Sequence, residues 1–152
     1  MTMAEKHLLP PAARSPHWKK INESAETGRL ILQVCANCEE VQYPPRELCG
    51  SCLDDRLNWK SVLNTGCLLS FTVLHASHVP FFQERTPWYI GLIQLDCGPV
   101  IFAHLTSRAV HVDDHVRVIC KRDKSGQGVF VAVPASDDPG EGLRRLDHLF
   151  RS

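Results

Sequence analysis

The chain has 152 residues, which is enough for one ordinary domain or for a small module joined to a barrel. Its 17 basic and 17 acidic residues cancel, so it lacks the basic excess typical of nucleic-acid-binding proteins. No apolar run approaches the roughly 20 residues of a membrane span, and no apolar segment follows the charged start as in a secretory signal. We therefore expect a cytoplasmic protein with no membrane-spanning part.

The beginning of the chain predicts an arm and then a helix. Residues 1–14 have the character of a flexible arm. Ser15-Pro16 predicts a helix start, because serine can cap free N–H groups and proline fits the first helical position. Three apolar side chains then recur at helical spacing, at Trp18, Ile21 and Ala25. Gly28 supplies a left-handed stop, so the pattern predicts an amphipathic helix over residues 16–27.

The next segment changes to the period of a strand. Residues 29–35 alternate between two faces and run directly into a cysteine pair. A polar connector with Pro44-Pro45-Arg46 follows and leads to a second pair. The residues around Leu57 and Trp59 predict a returning strand. Together, residues 15–62 predict a helix followed by a small ribbon.

The paired cysteines predict a metal site. Seven cysteines without an export signal argue against a disulfide framework. Four of them form two C-x2-C pairs that are ten residues apart: Cys35, Cys38, Cys49 and Cys52. Two residues between cysteines let both sulfurs face one point, and four thiolates satisfy tetrahedral zinc completely. The pattern therefore predicts one structural zinc ion with no open position for substrate.

The cysteine pattern also allows a second metal and departs from the usual residue after each pair. Iron is the alternative to zinc, because a rubredoxin-like four-thiolate site can also hold it. Glycine commonly follows the second cysteine of such a pair, whereas Glu39 and Leu53 stand there in this chain, which predicts less regular local geometry. Outside the quartet, we expect Cys67 and Cys120 to fill the core, and Cys97 to be exposed at a turn.

The second half of the chain predicts a barrel. Five β runs follow one another without helical patterns between them, at residues 67–75, 88–96, 100–106, 115–121 and 129–133. The turn at residues 96–99 is short enough for a hairpin. Five such strands favour an OB-fold over residues 63–134, because closure removes exposed strand edges. Residues 135–152 predict a tail with a short helix that carries Leu143, Leu146 and Phe150.

The chain offers no catalytic constellation, and we predict no catalytic residue. Its best candidates are His75, His78 and His104, but a single histidine in a strand is more often a hydrogen-bonded structural residue. No Gly-x-Ser-x-Gly, phosphate-binding loop or His-Glu-x-x-His is present in the sequence. The loop with Phe81 and Phe82 has two interpretations. It either contacts another protein or an apolar channel, or it packs both rings into its own core.

The order of these motifs resembles one known family. A helix with Trp18 leads through Gly28-Arg29-Leu30 and Leu32-Gln33 to the first cysteine pair. Pro44-Pro45-Arg46 precedes the second pair, and Trp59, Gly66 and Ser70-Phe71-Thr72-Val73 follow it. Over roughly residues 15–134, this arrangement resembles the DUF35 family, in which a rubredoxin-like zinc ribbon is joined to an OB-fold. The chain departs from the family at residues 112–116, a turn in which relatives usually have glycine.

The resemblance implies a non-catalytic accessory subunit. Members of the family work beside thiolase-superfamily enzymes that make or break carbon–carbon bonds on acyl donors. The small subunit of the phloroglucinol C-acetyltransferase complex is similar. The implied partners are thiolase-like or 3-hydroxy-3-methylglutaryl-CoA-synthase-like subunits, which the small protein bridges, with contact to the CoA thioester. The alternative is a single-strand nucleic-acid-binding OB module, against which the neutral charge balance argues.

Overall fold

The computed structural model describes residues 9–12, 14–106 and 110–150. Its elements in chain order are α1 (Trp18–Thr27), β1 (Ile31–Cys35), β2 (Val41–Gln42), β3 (Leu57–Ser61), β4 (Thr65–Leu74), α2 (Pro80–Gln83), β5 (Trp88–Leu95), β6 (Val100–Leu105), β7 (His115–Arg122), β8 (Gly128–Pro134), α3 (Pro139–Arg144) and α4 (Asp147–Phe150). The predicted mainly-β fold with an N-terminal helix is confirmed. Most of the predicted arm, residues 1–8 and 13, lies outside the described residues.

The helix α1 begins two residues later than predicted. Ser15-Pro16 and His17 form a turn, in which the carbonyl oxygen of Ser15 accepts a 2.9 Å hydrogen bond from the Trp18 N–H. No side chain caps the helix, so the prediction that Ser15 caps it was wrong. The predicted stop is confirmed, since Gly28 adopts a left-handed φ of 67° and its N–H donates to the Ser24 carbonyl.

The ribbon is a three-stranded sheet in the order β2-β1-β3. β1 is the central strand and pairs antiparallel with both neighbours, so Gln33 lies beside Gln42 on one side and Trp59 on the other. The predicted returning strand is therefore β3. The short strand β2 lies in the segment that the sequence predicted as a polar connector, and two residues are too few to show a strand period.

The remaining strands form a closed barrel in the order β4-β5-β6-β8-β7. β7 pairs back with β4 to close it, and β6 and β8 form its parallel pair. The predicted hairpin between β5 and β6 is confirmed. β4 carries a bulge at Leu69, between the paired residues Leu68 and Ser70. The five-stranded OB-fold expected from the sequence is thus the observed architecture.

One turn of the barrel contains a residue other than glycine in the left-handed conformation. Asp113 has a φ of 70°, in the turn at residues 112–116 where a glycine was expected. Aspartate tolerates the left-handed region better than most residues. The turn is held against β4, because the Asp113 N–H donates to the Leu68 carbonyl at 2.8 Å and the Leu68 N–H donates to the Asp114 carbonyl at 3.0 Å.

Helix α1 packs the ribbon side of the chain onto the barrel. The indole N–H of Trp18 donates to the Gly128 carbonyl at 2.9 Å, and the Gly128 N–H donates to the side-chain oxygen of Asn22 at 2.7 Å. Ile21 is fully buried. The buried thiol of Cys120 lies 3.5 Å from the Ile21 carbonyl oxygen. The core-filling prediction holds for Cys120, while Cys67 and Cys97 are only partly exposed.

A second apolar cluster covers the outer face of β8. Val129, Val131 and Val133 point into it, together with Phe81 of α2, which is fully buried. Of the two interpretations of the phenylalanine loop, packing into the chain's own core is therefore correct for Phe81.

The predicted C-terminal helix is two short helices rather than one. Hydrogen bonds from the Arg145 N–H to Gly142 and from the Leu146 N–H to Leu143 tighten the chain between α3 and α4. Leu146 and Leu149 are buried against β8. The last two residues, 151 and 152, lie outside the described part of the chain.

Candidate metal centre

The four paired cysteines come together at one end of the ribbon. The sulfurs of Cys35 and Cys52 lie 3.6 Å apart, those of Cys38 and Cys49 lie 3.5 Å apart, and all four are within 4.8 Å of one another. Sulfurs bound at about 2.3 Å to a tetrahedral zinc ion are separated by about 3.8 Å. The observed spacing fits a single tetrahedral ion. Among the described residues, no other group of three or more Cys, His, Asp or Glu side chains converges in this way.

The two cysteine pairs form matched turns, which we name the first knuckle (residues 35–39) and the second knuckle (residues 49–53). In the first, the Glu39 N–H donates to the Cys35 carbonyl at 3.0 Å, and the Asn37 N–H points at the Cys35 sulfur at 3.4 Å. The second repeats both contacts, with Leu53 and Ser51 on Cys49 at 3.1 and 3.4 Å. Backbone N–H groups aimed at sulfur favour the thiolate that a metal requires.

The knuckles are regular despite the missing glycines. Glu39 and Leu53 both have a φ of 62°, the left-handed conformation that glycine adopts without cost. The expectation of less regular knuckle geometry was therefore wrong. The chain makes the same turn with ordinary side chains and accepts backbone strain, which amounts to roughly 1–2 kcal/mol per residue.

Glycine at either knuckle position should stabilise the folded ribbon. We expect Glu39→Gly and Leu53→Gly each to raise the free energy of unfolding by about 1 kcal/mol, because glycine relieves the left-handed strain but is more flexible when unfolded. Thermal unfolding of the metal-loaded protein measures the change. Gly28→Ala is the converse control: Gly28 has a φ of 67°, and no atom lies within 4 Å of the position that a Cβ would take, so strain alone should destabilise the variant. Equal stability of all three variants would contradict the strain argument.

Without a cation, the thiols of the quartet differ in pKa. The Asn37 side chain and then the Asp54 backbone hydrogen-bond the Cys52 sulfur and lower its pKa to about 6. At Cys38 the backbone of Glu40 lowers the pKa, but desolvation and the three neighbouring thiols together raise it to about 12. Four sulfurs at this separation repel one another when ionised, so a divalent cation is what allows all of them to be thiolates.

Two buried glutamines hold the second knuckle on the sheet. The side chain of Gln33 bonds both backbone groups of Arg46, accepting from its N–H at 2.8 Å and donating to its carbonyl at 2.9 Å. Gln42 donates to the Gln33 side-chain oxygen at 3.0 Å and accepts from the Gly50 N–H at 3.1 Å. This network joins Gln33 of β1 to Arg46, the last residue of the Pro44-Pro45-Arg46 motif. The role of Gln42 is not visible in the sequence, because the residue stands in a polar connector without a periodic pattern.

Two apolar side chains at the second knuckle are exposed. Cys35 and Cys49 are buried, whereas Cys38 is exposed. On the second knuckle and just before it, Leu53 is 72% exposed and Leu48 is 48% exposed. Large apolar side chains in such exposed positions often mark a contact with another molecule when they lie together.

The structure does not bring the three candidate histidines to the metal centre. His75 and His78 are exposed beyond the end of β4. His104 lies on β6, where its Nδ1 accepts a 2.9 Å hydrogen bond from the indole N–H of Trp88. Burial lowers the pKa of His104 to about 4, so this imidazole is neutral at pH 7. None of the helices in the described ranges is long and apolar enough to cross a membrane.

Family models match the two parts of the chain in order. Residues 23–58 match the ChsH2 rubredoxin-like zinc ribbon domain, and residues 59–120 match the ChsH2 C-terminal OB-fold domain. The first match contains all four paired cysteines. The second contains strands β4 to β6 and most of β7, with β8 beyond its end.

The chain has sequence similarity to two proteins with different descriptions. A probable enoyl-CoA hydratase alpha subunit of Thermomonospora curvata is 30% identical over 89 residues, which are 57% of this chain and 27% of that protein. The chain thus spans about a quarter of that relative's length. A DUF35 domain-containing scaffold protein of Methanocaldococcus jannaschii is 25% identical over 126 residues, covering 80% of this chain and 86% of the relative.

Solved structures share the fold. The structure described as Ltp2-ChsH2(DUF35) aldolase has a TM-score of 0.67 at 24% identity and covers 83% of this chain and 99% of its own. A DUF35-family protein of unknown function from Sulfolobus solfataricus has a TM-score of 0.57 at 16% identity, covering 79% of this chain and 86% of its own. At these identities the similarity shows the architecture of ribbon and barrel.

Proposed function

This chain belongs to the DUF35 family, and from that premise we propose that it is a non-catalytic accessory subunit of a thiolase-like acyltransferase complex. It would bridge larger subunits that form or cleave carbon–carbon bonds and contact the CoA thioester at their junction. Relatives described as a scaffold protein and as part of an aldolase support the proposal. The partner would supply the nucleophilic cysteine and the acid–base groups.

The observation that carries the proposal is the closed cysteine quartet. Four converging sulfurs leave a tetrahedral ion no position for substrate or water, so such a centre organises structure. We propose zinc as the ion and Cys35, Cys38, Cys49 and Cys52 as its ligands. When bound, the ion would cross-link the two knuckles and give the ribbon a fixed outer surface.

The second knuckle is the proposed contact with the partner. Leu53 extends into solvent from a backbone position at which glycine would be less strained, and Leu48 lies beside the same knuckle. An apolar pair of this kind fits an apolar recess on another protein.

The nucleic-acid alternative lacks the charges that it requires. In an OB-fold, the second and third strands form the usual binding face, yet β5 and β6 contain no lysine or arginine. The basic residues at 121 and 122 have partners within the molecule. Arg122 pairs with Glu26, and the Lys121 ammonium lies 4.6 Å from the centre of the Phe150 ring.

Co-purification with a thiolase-like protein encoded beside this chain tests the proposal. We expect a stable complex whose acyl-transfer activity falls at least tenfold when this chain is omitted. We expect Leu53→Gly to weaken the complex about tenfold, which is the usual cost of losing one apolar anchor. Salt-sensitive binding of single-stranded oligonucleotides, with no effect of this chain on any neighbouring enzyme, would support the alternative instead.

The matched control for the anchor is Glu39→Gly. It relieves the same backbone strain in the first knuckle but leaves Leu53 in place. Binding by the Glu39→Gly variant should equal that of the unmodified chain. If both glycine variants bind the partner normally, the second knuckle is not the contact.

A further inference from the structure

One edge of strand β6 is unpaired over the first part of the strand. β6 pairs with β5 from Val100 to His104, but its parallel pairing with β8 is limited to His104 and Leu105. In the described part of the chain, residues 100–103 therefore have a neighbouring strand on one side only. An unpaired edge presents a row of backbone N–H and C=O groups that another strand can bond.

The backbone groups of Phe102 point to this free edge. The Leu95 N–H donates to the Pro99 carbonyl at 3.0 Å, which makes these two residues a hydrogen-bonded pair of the hairpin between β5 and β6. Bonded and non-bonded pairs alternate along an antiparallel ladder, so Leu92 and Phe102 form a non-bonded pair. The N–H and C=O of Phe102 thus point away from β5, as does the N–H of Thr106, which donates to a carbonyl of β8 at 3.2 Å.

The space beside this edge is open. A cavity of about 270 Å³ is lined by Phe102 and Ala103 of β6 on one side and by Val129 and Phe130 of β8 on the other, so the two strands are apart at this level. Phe102 is 66% exposed, and solvent therefore reaches the edge. Because neighbouring strands lie about 4.8 Å apart, a gap of this size suits one extended chain rather than a folded domain.

β6 lacks the features that usually prevent the addition of a strand. Soluble proteins protect exposed edges with lysine, proline, charges or bulges. β6 contains no charged residue and no proline, and its register with β5 runs without a bulge. On the outer face, Phe102 lies opposite Leu92 of β5, so an added strand would extend an apolar surface. A charged segment would lose hydration beside these side chains, which favours an uncharged one.

We propose that the β6 edge at residues 100–103 binds an extended, uncharged segment of another protein as an additional strand. The backbone of the segment would bond the N–H and C=O of Phe102, and its β-branched or aromatic side chains would pack beside the Phe102 ring. Main-chain hydrogen bonds supply the affinity in this mode of recognition, so the extended conformation and the lack of charge define the occupant. The site lies on the barrel rather than on the second knuckle, and it does not depend on the scaffold role.

Backbone amide exchange of the full-length, zinc-loaded chain tests the edge itself. The alternation that frees Phe102 leaves the N–H groups of Ile101 and Ala103 bonded to β5. We expect the Phe102 amide to exchange at least about tenfold faster than either neighbour in dilute solution. Equal protection of the three amides would overturn the proposal. Protection of Phe102 that rises with the concentration of the chain alone would identify a second copy as the occupant and would also overturn it.

A model strand tests the occupant. The probe is an acetylated and amidated pentapeptide that alternates threonine and valine, two residue types that favour extended strands. At millimolar concentration it should slow the exchange of the Phe102 amide at least about tenfold and leave Ile101 and Ala103 unchanged. The same peptide with proline in place of valine lacks N–H groups and should give no protection. No protection by the first peptide, or equal protection by both, contradicts strand addition at this edge.

Two variants of one residue separate the backbone from the ring, with binding followed through the NMR signals of the peptide. Phe102→Thr keeps the N–H group and should weaken binding about tenfold, as for the loss of one apolar contact. Phe102→Pro also removes the N–H group, which strand edges tolerate, and should abolish binding. The control Phe71→Ala removes a ring that is 40% exposed on β4, away from this edge, and should change nothing. Binding by a folded Phe102→Pro variant, or equal losses in Phe102→Thr and Phe71→Ala, would refute the proposal. If the proline variant does not fold, the threonine variant and the two peptides decide.

Discussion

Replacement of Cys49 by serine should unfold the ribbon and abolish assembly with the partner, while much of the barrel remains folded. Metal binding is worth about 10–16 kcal/mol in zinc-finger peptides, which is as large as the roughly 5–15 kcal/mol that stabilises whole domains. The ribbon has a sheet of three short strands and cannot replace that contribution. Hydrogen exchange would measure the loss of protection in β1 and β3, next to retained protection in β7 and β8.

Cys97→Ser is the control for this experiment. Cys97 lies at the turn between β5 and β6 and does not belong to the quartet, so its loss should leave one equivalent of metal bound. The same samples identify the ion. A colourless protein with one zinc per chain supports the structural site, whereas a visible absorption band would indicate iron. A Cys49→Ser variant that still binds its partner normally would exclude the ribbon as the docking surface.

Gly66→Ala should destabilise the barrel by about 3 kcal/mol or more. Gly66 lies in β4 between two partners, opposite Leu95 of β5 and Val116 of β7, where the barrel closes. A Cβ there would overlap the backbone carbonyl oxygen of Gln94 and lie 3.0 Å from the Cα of Leu95. Backbone atoms paired on both sides cannot move away, so the cost exceeds that of ordinary overpacking, about 1–3 kcal/mol. Denaturant unfolding of the zinc-loaded protein measures it.

Gly140→Ala is the matched control for the barrel. Its Cβ would lie 3.2 Å from Asp138 Oδ1, which caps α3 by accepting from the Glu141 N–H at 2.9 Å, while alanine is the better helix former. We expect a loss of no more than about 1 kcal/mol, the typical cost of weakening one helix cap. A Gly66→Ala variant as stable as Gly140→Ala would mean that β4 and β5 separate easily, in conflict with a closed barrel.

The elements that the sequence predicted well depend on local signals. The cysteine spacing, the left-handed stop at Gly28 and the five β runs each follow from residues close together in the chain. The errors arose where tertiary contacts outweighed local preference. Ser15 has the side chain of a helix cap, yet its carbonyl oxygen makes the turn. Glu39 and Leu53 adopt a conformation that their side chains disfavour, because the knuckle hydrogen bonds and the converging sulfurs require it.

The aromatic contacts among Trp18, Tyr43 and Phe130 could not be predicted from the sequence. Trp18 appeared only as part of an amphipathic helix face, and Tyr43 only as part of a polar connector. Trp18 approaches Phe130 because α1 docks on β8, more than 100 residues away, and Tyr43 reaches the same ring from the ribbon. In the sequence, His104 is a single histidine in a predicted strand. The hydrogen bond from Trp88 that fixes its tautomer is visible only in the structure. Such contacts between distant parts of the chain arise only from the three-dimensional fold.

The docking of α1 on β8 also sets an order of events during synthesis on the ribosome. All the residues of the ribbon and its metal centre lie between positions 31 and 61, so they emerge together and can capture an ion early. The hydrogen bonds of Trp18 and Asn22 must wait for Gly128, which is translated 106 residues or more later. Until then the helix can pack against β1 of the ribbon but lacks its contacts with β8. We therefore expect the nascent chain to carry a folded ribbon next to an incompletely folded barrel with exposed apolar surface. At this stage a chaperone or a partner subunit would protect the chain most.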